Sequence, residues 1–461
     1  MKDQQQPPVI EAQHDPDRLR APTVDADGHR RWIYPDRRPG PNASTRKKLA
    51  IGLIIFYLLA PYIKVNGLPL LRLDVLAQKA YFAGTVFNFH EANFLVFVFL
   101  ILALALFLIT SIFGRVWCGY ACPQTVFVEW LIRPVEEFFE GKAHHRRVVD
   151  RGPWTWSKFW RKTGKYLTFI VIVLAISNAF LAYFVPPSTL LEWVTQAPSH
   201  HPVAFGVMSF ISIALFFDLV WFREQFCSFL CPYARFQALM FDENTPTVTY
   251  DSRRGEKRGR GKNAGDCIDC GHCVRVCPTG IDIRDGLQLE CIQCMRCVDA
   301  CDQVMTNIKR PKGLIRVSSE AAMSGKQKEG MRWRPLIYAA GLILVLVIFV
   351  STVWLRPSLE ITLIRQSGTT FIRTADDRIA NYFRVRVNNR LSQAQVLSLQ
   401  TPEGVSLMCS VCDRELEALN EENGSIVIMV PLDWQDSHIE LGFTDESGRS
   451  LSIPLILPGS R

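Results

Sequence analysis

Twelve of the fourteen cysteines fall in two kinds of repeated motif, and the first kind has a spacing with a definite chemistry. Cys267-Ile-Asp-Cys270-Gly-His-Cys273-Val-Arg-Val-Cys277-Pro278 is followed by Cys291-Ile-Gln-Cys294-Met-Arg-Cys297-Val-Asp-Ala-Cys301, the same C-x2-C-x2-C-x3-C pattern moved 24 residues along (267 to 291). Three cysteines so spaced wrap a tight loop around one face of a [4Fe-4S] cube, and in two-cluster ferredoxins the fourth thiolate belongs to the other cluster. The pattern predicts one cluster on Cys267, Cys270, Cys273 and Cys301, and a second on Cys291, Cys294, Cys297 and Cys277. Paired C-x2-C motifs also bind zinc through four thiolates. Eight cysteines in two register-matched copies, with Pro278 closing the first, favour iron and sulfide instead. Asp302 stands where the second copy should have proline, which loosens that loop without removing a ligand.

The second kind is Trp117-Cys118-Gly-Tyr-Ala-Cys122-Pro123 and Phe226-Cys227-Ser-Phe-Leu-Cys231-Pro232, both aromatic-C-x3-C-P. In a helix, i and i+4 share a face, while proline pushes the residue before it out of helical geometry. Brought together, Cys118, Cys122, Cys227 and Cys231 suit a soft metal such as copper, an additional cluster, or a pair of redox dithiols. Buried cysteines also pack simply as small apolar residues, but packing gives no reason for the same neighbours and proline to recur. Cys409-Ser-Val-Cys412, with Met408 directly before it, departs from the M-x-C-x-x-C pattern of copper chaperones and reads as a structural disulfide or unpaired buried thiols. His200 with His201, and His90 with Glu91, are weaker copper candidates, since a histidine in a polar loop is usually just solvated.

These motifs need a membrane to position them. The chain has 461 residues, 48% of them hydrophobic, and a mean hydropathy of +0.10, too apolar for a soluble protein with such polar ends. Apolar runs at 49–63, 94–113, 166–185, 204–222 and 335–355 predict an α-helical bundle of about five transmembrane helices, the first needing help from residues 65–68 to reach the roughly 20 residues of a span. The segments 1–48, 114–165 and 223–334 hold 10, 10 and 19 Lys and Arg, against three in 64–93 and none in 186–203. Positive charge stays inside, so the N-terminus and the cysteine-rich insert are expected in the cytoplasm and the C-terminus in the periplasm. A reducing compartment suits the insert's free thiols.

The expected organisation is a cytoplasmic tail (1–48), a four-helix membrane region (49–222), a cytoplasmic segment with the 2[4Fe-4S] ferredoxin-like insert (223–334), a fifth span (335–355) and a periplasmic domain (356–461). The tail has no apolar core of a cleavable signal peptide. Its Arg31-Trp32-Ile33-Tyr34-Pro35 reads either as a membrane-surface element or as solvated linker. The basic run from Arg253 to Lys262 lacks the interleaved aromatics of a nucleic-acid site and reads as a topology-setting loop beside anionic lipid. In the last segment, 383–387, 395–399, 425–430 and 439–443 alternate with strand periodicity and predict an all-β, immunoglobulin-like sandwich.

Together these features resemble the CcoG/FixG/RdxA family, accessory proteins linked to assembly of cbb3-type cytochrome c oxidase. The resemblance rests on Trp32 to Pro35, the two C-x3-C-P motifs, the paired ferredoxin motif and the stretch Asn381 to Asn389. The C-x3-C-P pairs are shared with quinol-dehydrogenase-type membrane ferredoxins, whereas the tail and the sandwich favour the CcoG branch. The family implies reduction of Cu(II) to Cu(I) for the oxidase's copper centre. Its implied partners are a cytoplasmic electron donor, a copper transporter or chaperone, and cbb3-type oxidase subunits; a homodimer is compatible with it. Spacing and periodicity alone support membrane-bound, one-electron iron-sulfur chemistry. A quinol-oxidising electron-transfer subunit and a non-catalytic assembly scaffold or redox sensor are the rival readings.

Overall fold

The computed structural model describes residues 23 to 455 except 25–26, 76, 89–91, 241, 262, 287, 325–331, 356–358, 366–370, 375, 390–392, 418–419, 437 and 444–449. It divides into two compact units, Met1–Val347 and Ile348–Arg461.

In the first unit, four helices among the described residues are long and apolar enough to cross a membrane: Phe94–Phe113, Trp156–Leu181, Pro202–Phe222 and Trp333–Trp354. The expected first span is the exception. Its helix, Pro41–Leu59, carries Arg46, Lys47 and Lys48, which leaves eleven apolar-rich residues from Leu49 to Leu59. That is about 16 Å of helix against a hydrocarbon core of about 30 Å. Residues 65–68 do not lengthen it. Asn66 and Gly67 both take positive φ (52° and 80°), and this Asn-Gly turn closes the antiparallel pair Lys64–Val65 and Leu68–Pro69. The helix still runs alongside Trp156–Leu181: Arg46 bonds the Gly119 carbonyl at one end, and Tyr57 Oη donates to Ile176 O (3.0 Å) near the other.

The helix Trp156–Leu181 starts where the Thr155 hydroxyl caps Lys158 N (3.2 Å). Trp154, Trp156 and Trp160 stand exposed there beside Lys158 and Arg161, the amphipathic girdle expected where a span meets water. The cysteine-rich insert is built on the antiparallel strands Thr247–Tyr250 and Ile315–Ser318 and the helix Arg296–Asn307, packed over Val248, Ile281, Ile283, Met305 and Leu314.

The second unit is an immunoglobulin-like sandwich. One sheet places its strands in the order Ser406–Cys409, Glu421–Pro431, Arg378–Asn389, Leu359–Arg365, and another in the order Leu399–Gln400, His438–Phe443, Ser450–Pro454. Pairing is antiparallel throughout, with Phe383 opposite Ile426. Phe383, Val385 and Val387 alternate inward to meet Ile426, Ile428 and Val430, and Ile439, Leu441 and Ile453 close the core from the second sheet. Cys409 and Cys412 form a disulfide at the end of an edge strand.

Candidate functional site

The two cysteine loops repeat in backbone as well as in sequence. Asp269 and Gly271 in the first, and Gln293 and Met295 in the second, take left-handed φ of 53°, 64°, 53° and 57°, again 24 residues apart. Each loop then enters a helix, at His272 and at Arg296. Such turns curl a chain around a centre. One cavity is lined by Cys267, Cys270, Cys273 and Cys301; a second is lined by Cys277, Cys291, Cys294 and Cys297, with Cys273 at its edge. Burial pushes the Cys273, Cys277, Cys291, Cys297 and Cys301 thiols upward, and for Cys301 and Cys297 their neighbours add to it along the same division. Cys301 feels Cys273, Cys270 and Cys267, whereas Cys297 feels Cys294, Cys291 and Cys277 before Cys273.

The surroundings suit an anionic group. Arg46 is 1% exposed, and its two Nη atoms have no hydrogen-bond partner, as is true of Arg296 Nη1 next to Cys297. An unmatched buried cation is costly, and a thiolate-ligated cluster beside it would offset the charge. Glu129, 2% exposed, meets Arg296 at 2.5 Å and Arg133 at 2.5 Å. Burial alone would push its carboxyl up, but Arg133, Arg296, Arg46 and Arg37 hold it well below the usual carboxylate range, at about 2. Arg133 is shared with Glu224 (3.6 Å), so, among the described residues, the buried guanidinium left without an ion pair here is that of Arg46.

The C-x3-C-P motifs are also repeated in geometry, though not as one helix face. In each, the second cysteine leaves helical geometry, at φ −60°, ψ 125° for Cys122 and φ −70°, ψ 110° for Cys231, as the following proline requires. In each, its N–H donates to the carbonyl of the aromatic residue five positions back, Cys122 to Trp117 and Cys231 to Phe226, both at 2.9 Å. The turns are cross-tied. Gln124 Nε2 reaches Asp218 Oδ1 (3.1 Å) and Arg223 O (3.0 Å), and Gln237 Nε2, from the helix after the second motif, reaches Cys118 Sγ (3.6 Å). Burial pushes the Cys118 thiol up to about 12, with Cys122 and Cys231 adding to it. Cys227 is pushed higher by burial and then by Cys122, Cys118 and Cys231. The four thiols are thus electrostatic neighbours.

The first motif sits directly on the second cysteine loop. A Cβ on buried Gly119 would lie 2.5 Å from Ile292 O, 3.1 Å from Gln293 O and 3.2 Å from Cys294 Cα. Arg46 Nε holds the Gly119 carbonyl from the other side at 2.7 Å. Gln293, 3% exposed, fixes the seat: its Oε1 accepts from Arg115 N (2.6 Å), and its Nε2 donates to Phe113 O (3.0 Å) at the end of a membrane helix. Cys227 lines a small cavity shared with Pro278, Thr279 and Ile292.

The N-terminal segment binds this assembly together, which the sequence left open between membrane surface and linker. Ile33 packs on Gly280, Asp36 N donates to Arg275 O (2.8 Å), and Tyr34 Oη donates to Asp150 Oδ2 (2.6 Å). Asp299 accepts from Asn42 Nδ2 (2.7 Å) and Ala43 N (3.0 Å), so the helix after the second cysteine loop caps the N-terminus of Pro41–Leu59. Gly119, Gln293 and Asp299 escape sequence reading. Only the glycine inside a cysteine motif hinted at close backbone approach.

The remaining candidates stay apart. His201 bonds Gln196 (2.8 Å) beside Trp193, His200 is exposed, and His90 and Glu91 lie outside the described residues. Among the described residues, no group of three or more His, Cys, Asp or Glu is arranged to hold a single metal ion.

Comparison with known proteins matches residues 222–320 to a 4Fe-4S dicluster domain, 95–144 to a 4Fe-4S binding domain, and 349–450 to the IG-like fold at the C-terminal of FixG. Protein RdxA of Cereibacter sphaeroides is 35% identical over 79% of this chain and 80% of its own length. Nitrogen fixation protein FixG of Rhizobium meliloti is 31% identical over 84% and 82%. A crystal structure of a FixG-related protein from Vibrio parahaemolyticus aligns with 22% of this chain and 98% of its own, at 16% identity and a TM-score of 0.19. With iron-sulfur domains, membrane-length helices and an immunoglobulin-like end in one chain, and a match along about four-fifths of its relatives, this protein belongs to the FixG/RdxA family of membrane-associated iron-sulfur electron-transfer proteins.

Proposed function

We propose that the chain is a membrane-bound cupric reductase that accepts electrons from a cytoplasmic donor and converts Cu(II) to Cu(I) for the copper centre of a cbb3-type oxidase. The observation that supports this reading is that the two C-x3-C-P turns are tied together by Gln237 on Cys118, and the first is seated on the second cysteine loop at Gly119, although the four thiols are not themselves arranged as a ready metal-ligand set.

Cys267, Cys270, Cys273 and Cys301 would hold one [4Fe-4S] cluster, and Cys291, Cys294, Cys297 and Cys277 the other. Bound there, the clusters supply one-electron redox capacity. Arg46 and Arg296 offset their negative charge, and Gln293 fixes the second loop against the membrane helix. At the C-x3-C-P turns burial raises the Cys118, Cys122 and Cys227 thiols, so copper would displace protons to bind there. Soft thiolate ligands favour Cu(I) over Cu(II), so one electron from the donor converts the bound ion.

Orientation follows from the same framework. The N-terminal segment contacts the cysteine-rich insert at Arg275 and Asp299, so the two share one side. Residues 49–93 must then cross before Phe94, which supports five passages despite the short apolar stretch of the first helix. The distribution of Lys and Arg supports a cytoplasmic insert and a periplasmic immunoglobulin-like unit.

Cys118→Ser and Cys227→Ser are expected to abolish copper reduction while leaving iron and sulfide content near that of the parent. Full cupric reductase activity in either variant sinks the assignment. Oxidation of the reduced protein by a quinone analogue faster than by Cu(II) favours the quinol-linked rival.

A further inference from the structure

The basic run at 253–262 was expected beside lipid, and its place in the fold points elsewhere. The run packs on the first cysteine loop: Gly259 N donates to Cys267 O (2.8 Å), and Asp266 N donates to Arg254 O (2.8 Å). A second basic stretch, 309–316, joins it. Arg254 donates to Pro311 O (2.8 Å) and Lys312 O (3.1 Å), and Arg310 donates to Gly265 O (2.6 Å). The two stretches carry ten Lys and Arg against one Glu. Their acidic neighbours are already matched, Asp266 by Arg254, Glu256 and Asp285 by Arg258, Asp251 by Arg316, and Asp269 and Asp282 by Arg284. Arg253, Lys257, Arg260 and Lys312 are exposed. The result is a strongly positive face around the loop that carries Cys267 and Cys270.

This face lies at the other end of the strand Thr247–Tyr250 from the insert's contact with a membrane helix. Pro246 O meets Gln293 Nε2 (3.4 Å), which also holds Phe113 O at the end of a membrane helix. From Pro246 the chain runs extended through Thr247–Tyr250 to Asp251, and the basic residues follow. Five residues at about 3.3 Å each carry it roughly 16 Å. That length is about twice the screening length of roughly 8 Å at physiological ionic strength, enough for a strand leading off the membrane helix to carry the face clear of anionic headgroups.

We propose that this face is the docking surface for an acidic one-electron carrier protein, which delivers electrons beside the first cysteine set while the second faces the membrane. The inference rests on the donor side of the function proposed above and is independent of copper. Complementary charge raises association rates by about 10- to 1000-fold and fails as salt rises, which suits a carrier that must dock, transfer and leave.

The test uses the full chain, loaded with iron and sulfide, in nanodiscs of neutral or of anionic lipid. The probe is an acidic flavodoxin, titrated by calorimetry across a range of salt and, when reduced, mixed with the protein by stopped flow. The triple variant Lys257→Glu/Arg260→Glu/Lys312→Glu is expected to bind flavodoxin at least about tenfold more weakly at low salt, with a flatter salt dependence. Reduction by the methyl viologen radical, a cation, should not slow. Unchanged flavodoxin affinity and salt slope in the triple variant overturn the proposal. So does a loss confined to anionic-lipid discs, which assigns the face to the membrane. Should the triple variant lose iron, the parent decides alone, and salt-insensitive flavodoxin binding overturns the proposal. A protein that docks flavodoxin yet fails to reduce Cu(II) removes the cupric function and leaves this surface standing.

Discussion

Replacing Gly119 by alanine is the most direct probe of the junction between the two kinds of cysteine motif. The new methyl would stand 2.5 Å from Ile292 O, about 1 Å inside ordinary contact, and the next atoms, Gln293 O and Cys294 Cα, are also backbone. No side-chain rotation relieves such a clash, so either the cysteine loop or the C-x3-C turn must retreat by most of an ångström. Overpacking of this kind costs about 1–3 kcal/mol, while a misplacement of about 1 Å at a reacting centre slows reaction by up to about 100-fold. Gly119→Ala should therefore keep its iron, melt at lower temperature and, on the proposed cupric function, slow in single-turnover oxidation of the reduced protein by Cu(II). Stopped-flow absorbance and differential scanning calorimetry read the two effects separately. A variant that melts and reacts like the parent refutes the argument that this contact sets the junction.

Gln293→Ala removes the acceptor for Arg115 N and the donor to Phe113 O, and should raise hydrogen exchange across 291–295 with Cys118 becoming more reactive to thiol reagents; Gln293→Glu should restore only the acceptor half. Glu129 and Glu136, both held at about 2 by surrounding arginines against the pull of burial, contribute stability that is present above their ordinary value near 4.5 and is lost as pH falls toward 2, about 3 kcal/mol each. Acid titration followed by hydrogen exchange should show the insert loosening in that window before the immunoglobulin-like unit, with Glu129→Gln flattening the profile. Cys409→Ser/Cys412→Ser opens a loop with a sequence separation of three and should cost about 2 kcal/mol on loop-closure entropy, read as faster exchange at Ile426 in the full chain.

The cysteine loops, the strands and most of the spans were legible because each is written in local spacing: the 24-residue repeat, the alternation through Phe383, Val385 and Val387, and the unbroken apolar runs. The short first helix was partly misread. Asn66-Gly67 is a strong hairpin signal, and it overrides the apolar count that extended the span through residues 65–68. Of the two readings open at the C-x3-C-P motifs, a shared helix face or a break before proline, the structure takes the second at Cys122 and Cys231. What no local pattern encodes is long-range assembly. Gly119 against Cys294, Gln293 on Phe113 and Arg254 on Lys312 join segments far apart in sequence, and the same Arg-rich run reads as a lipid-side loop until its partner stretch is seen beside it.

Asp299 caps the helix Pro41–Leu59 from 256 residues downstream of Ala43, which gives that bond a consequence for biosynthesis. At about 5–20 residues per second, roughly 13–50 s separate synthesis of the helix start from that of its cap. In that interval the strap from Arg30 to Gly40 can already meet Glu137, Asp150 and Glu224, while its partners on the insert, Arg275 and Gly280, are still to be made. The first turn of that helix therefore stays without its cap until the second cysteine loop has been made, so the insert and the N-terminal helix complete one another only late in synthesis.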